Sequence, residues 1–186
     1  MGTSASSTQG DDIDSIIQAL NYSVVCGIEI KNSTQYVLHS PKTTVEWGYL
    51  LSPPPTSIKP EEKGSFIGHK NSASATGTTG VVSYMIGTTK LRMVVMWASP
   101  YNFDFYENYL AVGFDVNHDK EIYNLMYYGE GRDYQFSRDS YYRNCNAVQK
   151  TKDCFTIHGI MGTSHKSKVV IELYEEKDPN ASKEQK

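Results

Sequence analysis

The chain contains no apolar run approaching the roughly 20 residues that a membrane-spanning helix needs. No apolar amino-terminal segment resembles a secretory signal, which leaves the compartment open between secreted and cytoplasmic. Cysteine is scarce. Cys26, Cys145 and Cys154 are an odd number and make no disulfide framework, so free thiols and a Cys145–Cys154 bridge stand as alternatives. His39, His69, His118, His158 and His165 are scattered without metal-ligand spacing, and no metal site is expected. A phosphate-binding glycine loop is missing, since Gly129-Glu130-Gly131 lacks the rest of the motif. No nucleophile elbow frames a serine. These absences argue against an enzyme, against catalytic residues and against a cofactor. The formal net charge of −3 gives no general attraction to nucleic acid or anionic lipid.

What the chain has in quantity is aromatic side chains, concentrated between Trp97 and Tyr128 and mostly tyrosines. They crowd around a Ser99-Pro100-Tyr101-Asn102 turn and a Tyr123/Tyr127/Tyr128 cluster. A phenol has an apolar face and a polar tip, which suits a water–membrane interface or a ligand cage. Ring faces also attract quaternary ammonium ions. Trp97 and Phe114 fit a buried core equally well, but the turn does not, because loops are seldom buried.

In chain order, residues 1–10 are small and polar and are expected to be disordered. Met1-Gly2 with Ser6 fits the loose myristoylation pattern. Asp11 to Leu20 reads as a short helix. Ile13, Ile16, Ile17 and Leu20 make one apolar stripe, which fits both a helix packed on the domain and one that inserts into a membrane. From Tyr22 to Ile30 the period is two, as in a half-buried strand. Tyr36 and Leu38 open a second strand, and Val45, Trp47, Tyr49 and Leu51 line one face of a third, ended by Pro53-Pro54-Pro55. A short strand at Ser65–Ile67 follows. Thr78–Ile86 and Lys90–Trp97 form a hairpin around Gly87-Thr88-Thr89. Leu110, Val112, Phe114 and Val116 alternate again. His118-Asp119-Lys120-Glu121 starts a second helix with Asp119 as cap, placing Tyr123 and Tyr127 on one face before Gly129 and Gly131 stop it. Arg132 to Asn146 carries no clear pattern. Phe155–Ile160 and Lys168–Tyr174 are the last strands, and 177–186 is a loose charged tail. The pattern predicts one domain over 11–176, a mainly β sandwich with two short helices.

Three separated motifs carry a resemblance: Ala75-Thr76-Gly77-Thr78-Thr79-Gly80-Val81-Val82-Ser83-Tyr84, Ser99-Pro100-Tyr101-Asn102-Phe103-Asp104-Phe105-Tyr106, and Tyr123-Asn124-Leu125-Met126-Tyr127-Tyr128. In this order and spacing they resemble the actinoporins, sea-anemone pore-forming toxins, and the actinoporin-like proteins of vertebrates and other animals. The resemblance runs from about Val24 to Glu172 and implies a compact β-sandwich, shared with fungal fruit-body lectins. It implies a phosphocholine pocket built from Ser52, Thr79, Ala98, Pro100, Tyr106, Tyr123, Tyr127 and Tyr128. It also implies membrane-interface aromatics at Tyr101, Phe103, Phe105 and Tyr109, and a membrane-inserting helix carrying Ile13, Ile16, Ile17 and Leu20. The implied partners are choline-headgroup lipids, including sphingomyelin, and further copies of the chain on the membrane, with a soluble monomer beforehand.

Several positions depart from the family pattern. The family usually has indoles where Phe105 and Tyr109 stand. Its basic residue before the pocket serine is here Leu51, and its Arg-Gly-Asp triplet is replaced by Gly131-Arg132-Asp133. The expected helix, Asp11 to Leu20, spans only about 15 Å against a bilayer core of about 30 Å. Two functions are therefore carried forward. One is a cytolysin that inserts its helix to form a cation-permeable pore. The other is a non-lytic lipid- or glycan-binding module on the same fold.

Overall fold

The computed structural model describes residues 12–115, 117–129 and 135–176. The expected disordered segment 1–10, the myristoylation pattern, Asp11, Val116, the Gly131-Arg132-Asp133 triplet and the tail 177–186 lie outside the described residues. The elements in order are α1 (Ile13–Ala19), β1 (Val25–Ser33), β2 (Leu38–Trp47), β3 (Tyr49–Leu50), β4 (Ser57–Ile58), β5 (Lys63–His69), β6 (Thr78–Ile86), β7 (Arg92–Ser99), β8 (Asn108–Asp115), α2 (Ile122–Tyr128), β9 (Phe136–Tyr141), β10 (Val148–Lys152), β11 (Phe155–Met161) and β12 (Lys166–Glu175). Two six-stranded sheets face each other, ordered β10-β11-β12-β1-β5-β3 and β4-β2-β6-β7-β8-β9. Only the β1–β12 pair is parallel among the described pairings. The fold is the mainly β sandwich that the alternating patterns predict.

Between the sheets Ile28, Ile30, Phe66, Ile171 and Leu173 meet Val82, Tyr84, Val95, Trp97, Leu110 and Val112. Trp97 and Phe114 are both core residues, and the Trp97 ring lies edge-on to Phe66 at 5.6 Å. Each sheet also has a small second core on its outer face, under one helix. Ile122 and Met126 of α2 cover Val81, Val94, Met96 and Ala111. This explains why β7 is buried at every position: a strand covered on both faces reads as a continuous apolar run rather than an alternation.

The helix α1 covers the other sheet, where Ile13 and Ile17 pack on Val25 and Ile67. Tyr22–Ile30 is therefore not the half-buried strand expected. The strand starts at Val25, and its outward residues Val25 and Gly27 are sealed by the helix. Gly27 is the seat: a Cβ there would lie 2.4 Å from Ile17 Cδ1 and 3.0 Å from Ile13 Cδ1. α1 is shorter than Asp11–Leu20. The Asp12 carboxylate caps its first turn by accepting from the Asp14 N–H, and Leu20 is already extended. Two lysines of β12 hold its ends. Lys168 pairs with Asp14 at 3.0 Å, and Lys166 Nζ donates to the Gln18 and Leu20 carbonyls at 2.9 and 2.8 Å. A cation at the carboxyl end complements the helix dipole.

The second and third expected strands are one, β2, with register breaks at His39/Lys42 and Val45/Trp47. Pro41 sits in the first break, where no backbone N–H is available for the ladder. After the second, Gly48 turns the chain into the opposite sheet as β3. Its φ is +83°, and a Cβ would lie 2.4 Å from the His69 carbonyl oxygen, so glycine is required. Val45, Trp47, Tyr49 and Leu51 are all exposed, and they do not share one strand face, since Gly48 separates β2 from β3 in the opposite sheet. All three cysteines are free, so no Cys145–Cys154 bridge forms.

Ile17 is 1% exposed and fills a site closed on all sides. Ile17→Ala is expected to destabilise the fold by about 2–4 kcal/mol. Urea unfolding measures the loss, and hydrogen exchange over residues 13–20 should accelerate with it. Unchanged stability and protection would show that α1 is not part of the cooperative unit.

Candidate functional site

At one end of the sandwich α2 and the 99–107 loop enclose a cavity of about 520 Å³. α2 forms because Ile122 and Met126 share an apolar face one turn apart. It does not start at His118. Its first turn begins at Ile122, and the expected cap Asp119 accepts from the Glu121 N–H at 3.0 Å without being the cap residue. Gly129, at φ +61°, closes the helix, and Arg138 donates to the Tyr127 carbonyl there.

The next face of α2 carries the tyrosines. Tyr123 and Tyr127 stack at 5.5 Å with their planes 18° apart. Tyr128 meets Tyr127 edge-on at 5.0 Å. The Thr79 hydroxyl fixes the floor, bonding the Trp97 carbonyl at 2.9 Å and the Tyr123 hydroxyl at 3.0 Å. Thr79, Ala98 and Tyr123 are buried, whereas Tyr106 and Tyr128 stand at the rim, 59% and 62% exposed. Burial pushes the Tyr123 phenol up to about 12, only partly offset by its bond to Thr79, and Tyr127 is raised chiefly by burial as well. Both phenols are therefore neutral at ordinary pH and can donate hydrogen bonds.

Of the pocket residues that the resemblance implies, Thr79, Ala98, Pro100, Tyr106, Tyr123, Tyr127 and Tyr128 line this one cavity. Ser52 does not; it follows β3, which pairs with β5 in the other sheet. Of the expected interface aromatics, Phe105 and Tyr101 are exposed, at 77% and 44%. Phe103 and Tyr109 are half-buried instead. Phe103 stacks on His165 at 3.9 Å, and Tyr109 leans on Tyr127 at 5.7 Å. A second hollow of about 510 Å³ lies beside the first, sharing the Tyr106, Tyr127 and Tyr128 wall and reaching Tyr109 and Arg138. Residues that motif reasoning missed also line the main cavity: Glu46, Trp47 and Glu107. Glu46 and Trp47 lie in a strand of mixed pattern, and only the break at Val45/Trp47 could have signalled an outward turn.

Behind α2, His118 joins the helix approach to the sheet. Its Nδ1 is 2.8 Å from Ser83 Oγ and its Nε2 is 2.9 Å from Thr44 Oγ1. Arg92 Nε donates to the same Ser83 hydroxyl at 2.9 Å. Among the described residues no three His, Cys, Asp or Glu side chains converge to hold a metal ion. No described helix is long and apolar enough to cross a membrane.

Residues 55–175 match the family of sea anemone cytotoxic proteins, and the chain belongs to that family, the actinoporin-like pore-forming cytolysins. Its relatives include molluscan proteins. Tereporin-Ca1 of Terebra anilis is 33% identical over 180 residues, 91% of this chain and 94% of that protein. Echotoxin-2 of Monoplex parthenopeus is 35% identical over 156 residues, 80% of this chain, which spans only 56% of that protein's length. Among solved structures, the lipid-binding protein Nakanori superposes with a TM-score of 0.66 at 14% identity, covering 89% of this chain and 77% of its own. That likeness supports the fold.

Burial lowers the His118 pKa from its ordinary 6.5, aided by the positive charges of Arg92 and Lys42 and opposed by Asp119 and Asp115. The unfolded chain takes up this proton near pH 6.5 while the native chain resists. Stability conferred by neutral His118 is thus present above pH 6.5 and lost as pH falls through the native value. Urea unfolding at pH 7 and pH 5 should show a drop that His118→Gln reduces. An identical drop in the variant would place the acid sensitivity elsewhere.

Proposed function

We propose that the chain recognises choline headgroups at a membrane surface through the tyrosine-walled cavity, assembles there with further copies, and perforates the membrane by releasing α1. The observation that carries the reading is the stacked Tyr123–Tyr127 pair with Tyr106 and Tyr128 at the rim of one cavity. Ring faces attract a trimethylammonium group, and neutral phenols donate to a phosphate. Tyr101 and Phe105, exposed on the adjoining loop, supply aromatic groups for the headgroup layer. In the docked state the apolar stripe of α1 is covered, so insertion requires Ile13 and Ile17 to leave their seat on β1. Sphingomyelin is the choline lipid that the family resemblance favours.

One observation favours the non-lytic reading. The seven residues of α1 span about 10 Å, a third of a bilayer core. The two readings share the cavity and differ only in whether the bound protein goes on to open the membrane.

Vesicles of phosphatidylcholine, with and without sphingomyelin and loaded with a dye, separate them. Binding with release is expected for the cytolysin, and binding without release for the recognition module. Tyr106→Ala should weaken sedimentation about tenfold, the value of one cation–π or hydrogen-bond contact of roughly 1.4 kcal/mol, with an unchanged melting temperature. Tyr127→Ala should weaken it as well. Undiminished binding by both variants would remove the cavity from the account.

A further inference from the structure

The chain has two tryptophans, and the structure separates them completely. Trp97 is fully buried between the sheets, while Trp47 is 55% exposed and lines the tyrosine cavity. Val45, Tyr49 and Leu51 beside it in the chain are exposed at 36%, 57% and 49%. An exposed indole at the rim of a cavity is a candidate contact group, since large apolar side chains left in water mark contact sites. The backbone holds them outward. The register break at Val45/Trp47 re-aims the strand, as bulges do. Gly48 follows at φ +83°, a backbone turn at which a Cβ would meet the His69 carbonyl. Trp47, at the end of β2, is the chain's one exposed indole.

Building on the headgroup reading, we propose that Trp47, flanked by Val45, Tyr49 and Leu51, is a second membrane-contacting ridge of the same cavity, and that its occupant is the interface of a zwitterionic choline-lipid bilayer. Two features choose this occupant. Trp47 lines the same cavity as Tyr101 and Tyr106. Among the described residues the charged groups lining that cavity are Glu46 and Glu107, which complements a headgroup ending in a cation. An indole, flat and amphipathic, partitions to the headgroup level.

Because Trp97 is sealed in the core, a change in tryptophan emission on adding vesicles reports on Trp47. With phosphatidylcholine–sphingomyelin vesicles the emission should shift to the blue and be quenched by lipids brominated near the headgroup end of their chains. Phosphatidylglycerol vesicles should produce neither effect. Trp47→Phe should abolish the shift, which assigns it. Trp47→Ala should weaken sedimentation about fivefold or more with an unchanged melting temperature. If the parent protein sediments fully while its emission stays unshifted and unquenched, or if Trp47→Ala sediments like the parent, the ridge is overturned and the tyrosine cavity stands alone. If the parent protein does not sediment with choline-lipid vesicles at all, the headgroup reading fails and the ridge fails with it.

Discussion

The contact on which the site depends is the bond between the Thr79 and Tyr123 hydroxyls, made beneath a two-ring stack. It ties α2 to β6 at the point where the helix would otherwise rest on apolar packing alone. Ile122 and Met126 supply the adhesion, but apolar packing is non-directional and leaves a short helix free to roll. The hydrogen bond from Thr79 to the buried Tyr123 phenol fixes the roll, and a fixed roll places Tyr127 and Tyr128 at one wall. His118 performs a related task at the approach to the helix, where its ring is held on both nitrogens by hydroxyls of β2 and β6.

The same architecture holds its two helices by different means. The two sheets share a continuous core, and the α2 side is locked by hydroxyls and an arginine. The α1 side rests on two isoleucines in a glycine seat and two lysines at the helix ends. The Lys168–Asp14 pair is open to solvent and contributes little. The apolar seat therefore dominates the docking of α1. A bilayer can offer Ile13 and Ile17 an equivalent apolar environment, whereas it has nothing equivalent to offer the bond between Thr79 and Tyr123.

Much of this was legible in the residues. The hairpin of β6 and β7, the α1 stripe and the Tyr123/Tyr127 pairing all follow from periodicity, since each is set by neighbours along one element. β4, β9 and β10 were not legible. Ser57–Ile58 is too short for a pattern, and Phe136–Tyr141 and Val148–Lys152 lie toward sheet edges with mostly polar residues. The cavity lining was largely legible from the motifs, whereas Ser52 lies outside that lining, after a crossing between sheets at Gly48. Motif reasoning missed Glu46 and Trp47 for the same reason. A residue's face alternates predictably only while the ladder is regular, and β2 breaks register twice.

The most direct measurement is the response of the tyrosine ring resonances to phosphocholine in solution, by NMR of protein labelled with 13C in its tyrosines. Tyr106, Tyr123, Tyr127 and Tyr128 are expected to shift together along one saturating curve, while the core tyrosines Tyr84 and Tyr141 do not move. No response from the four rings, or a response confined to tyrosines outside the cavity, would contradict headgroup recognition by this cavity.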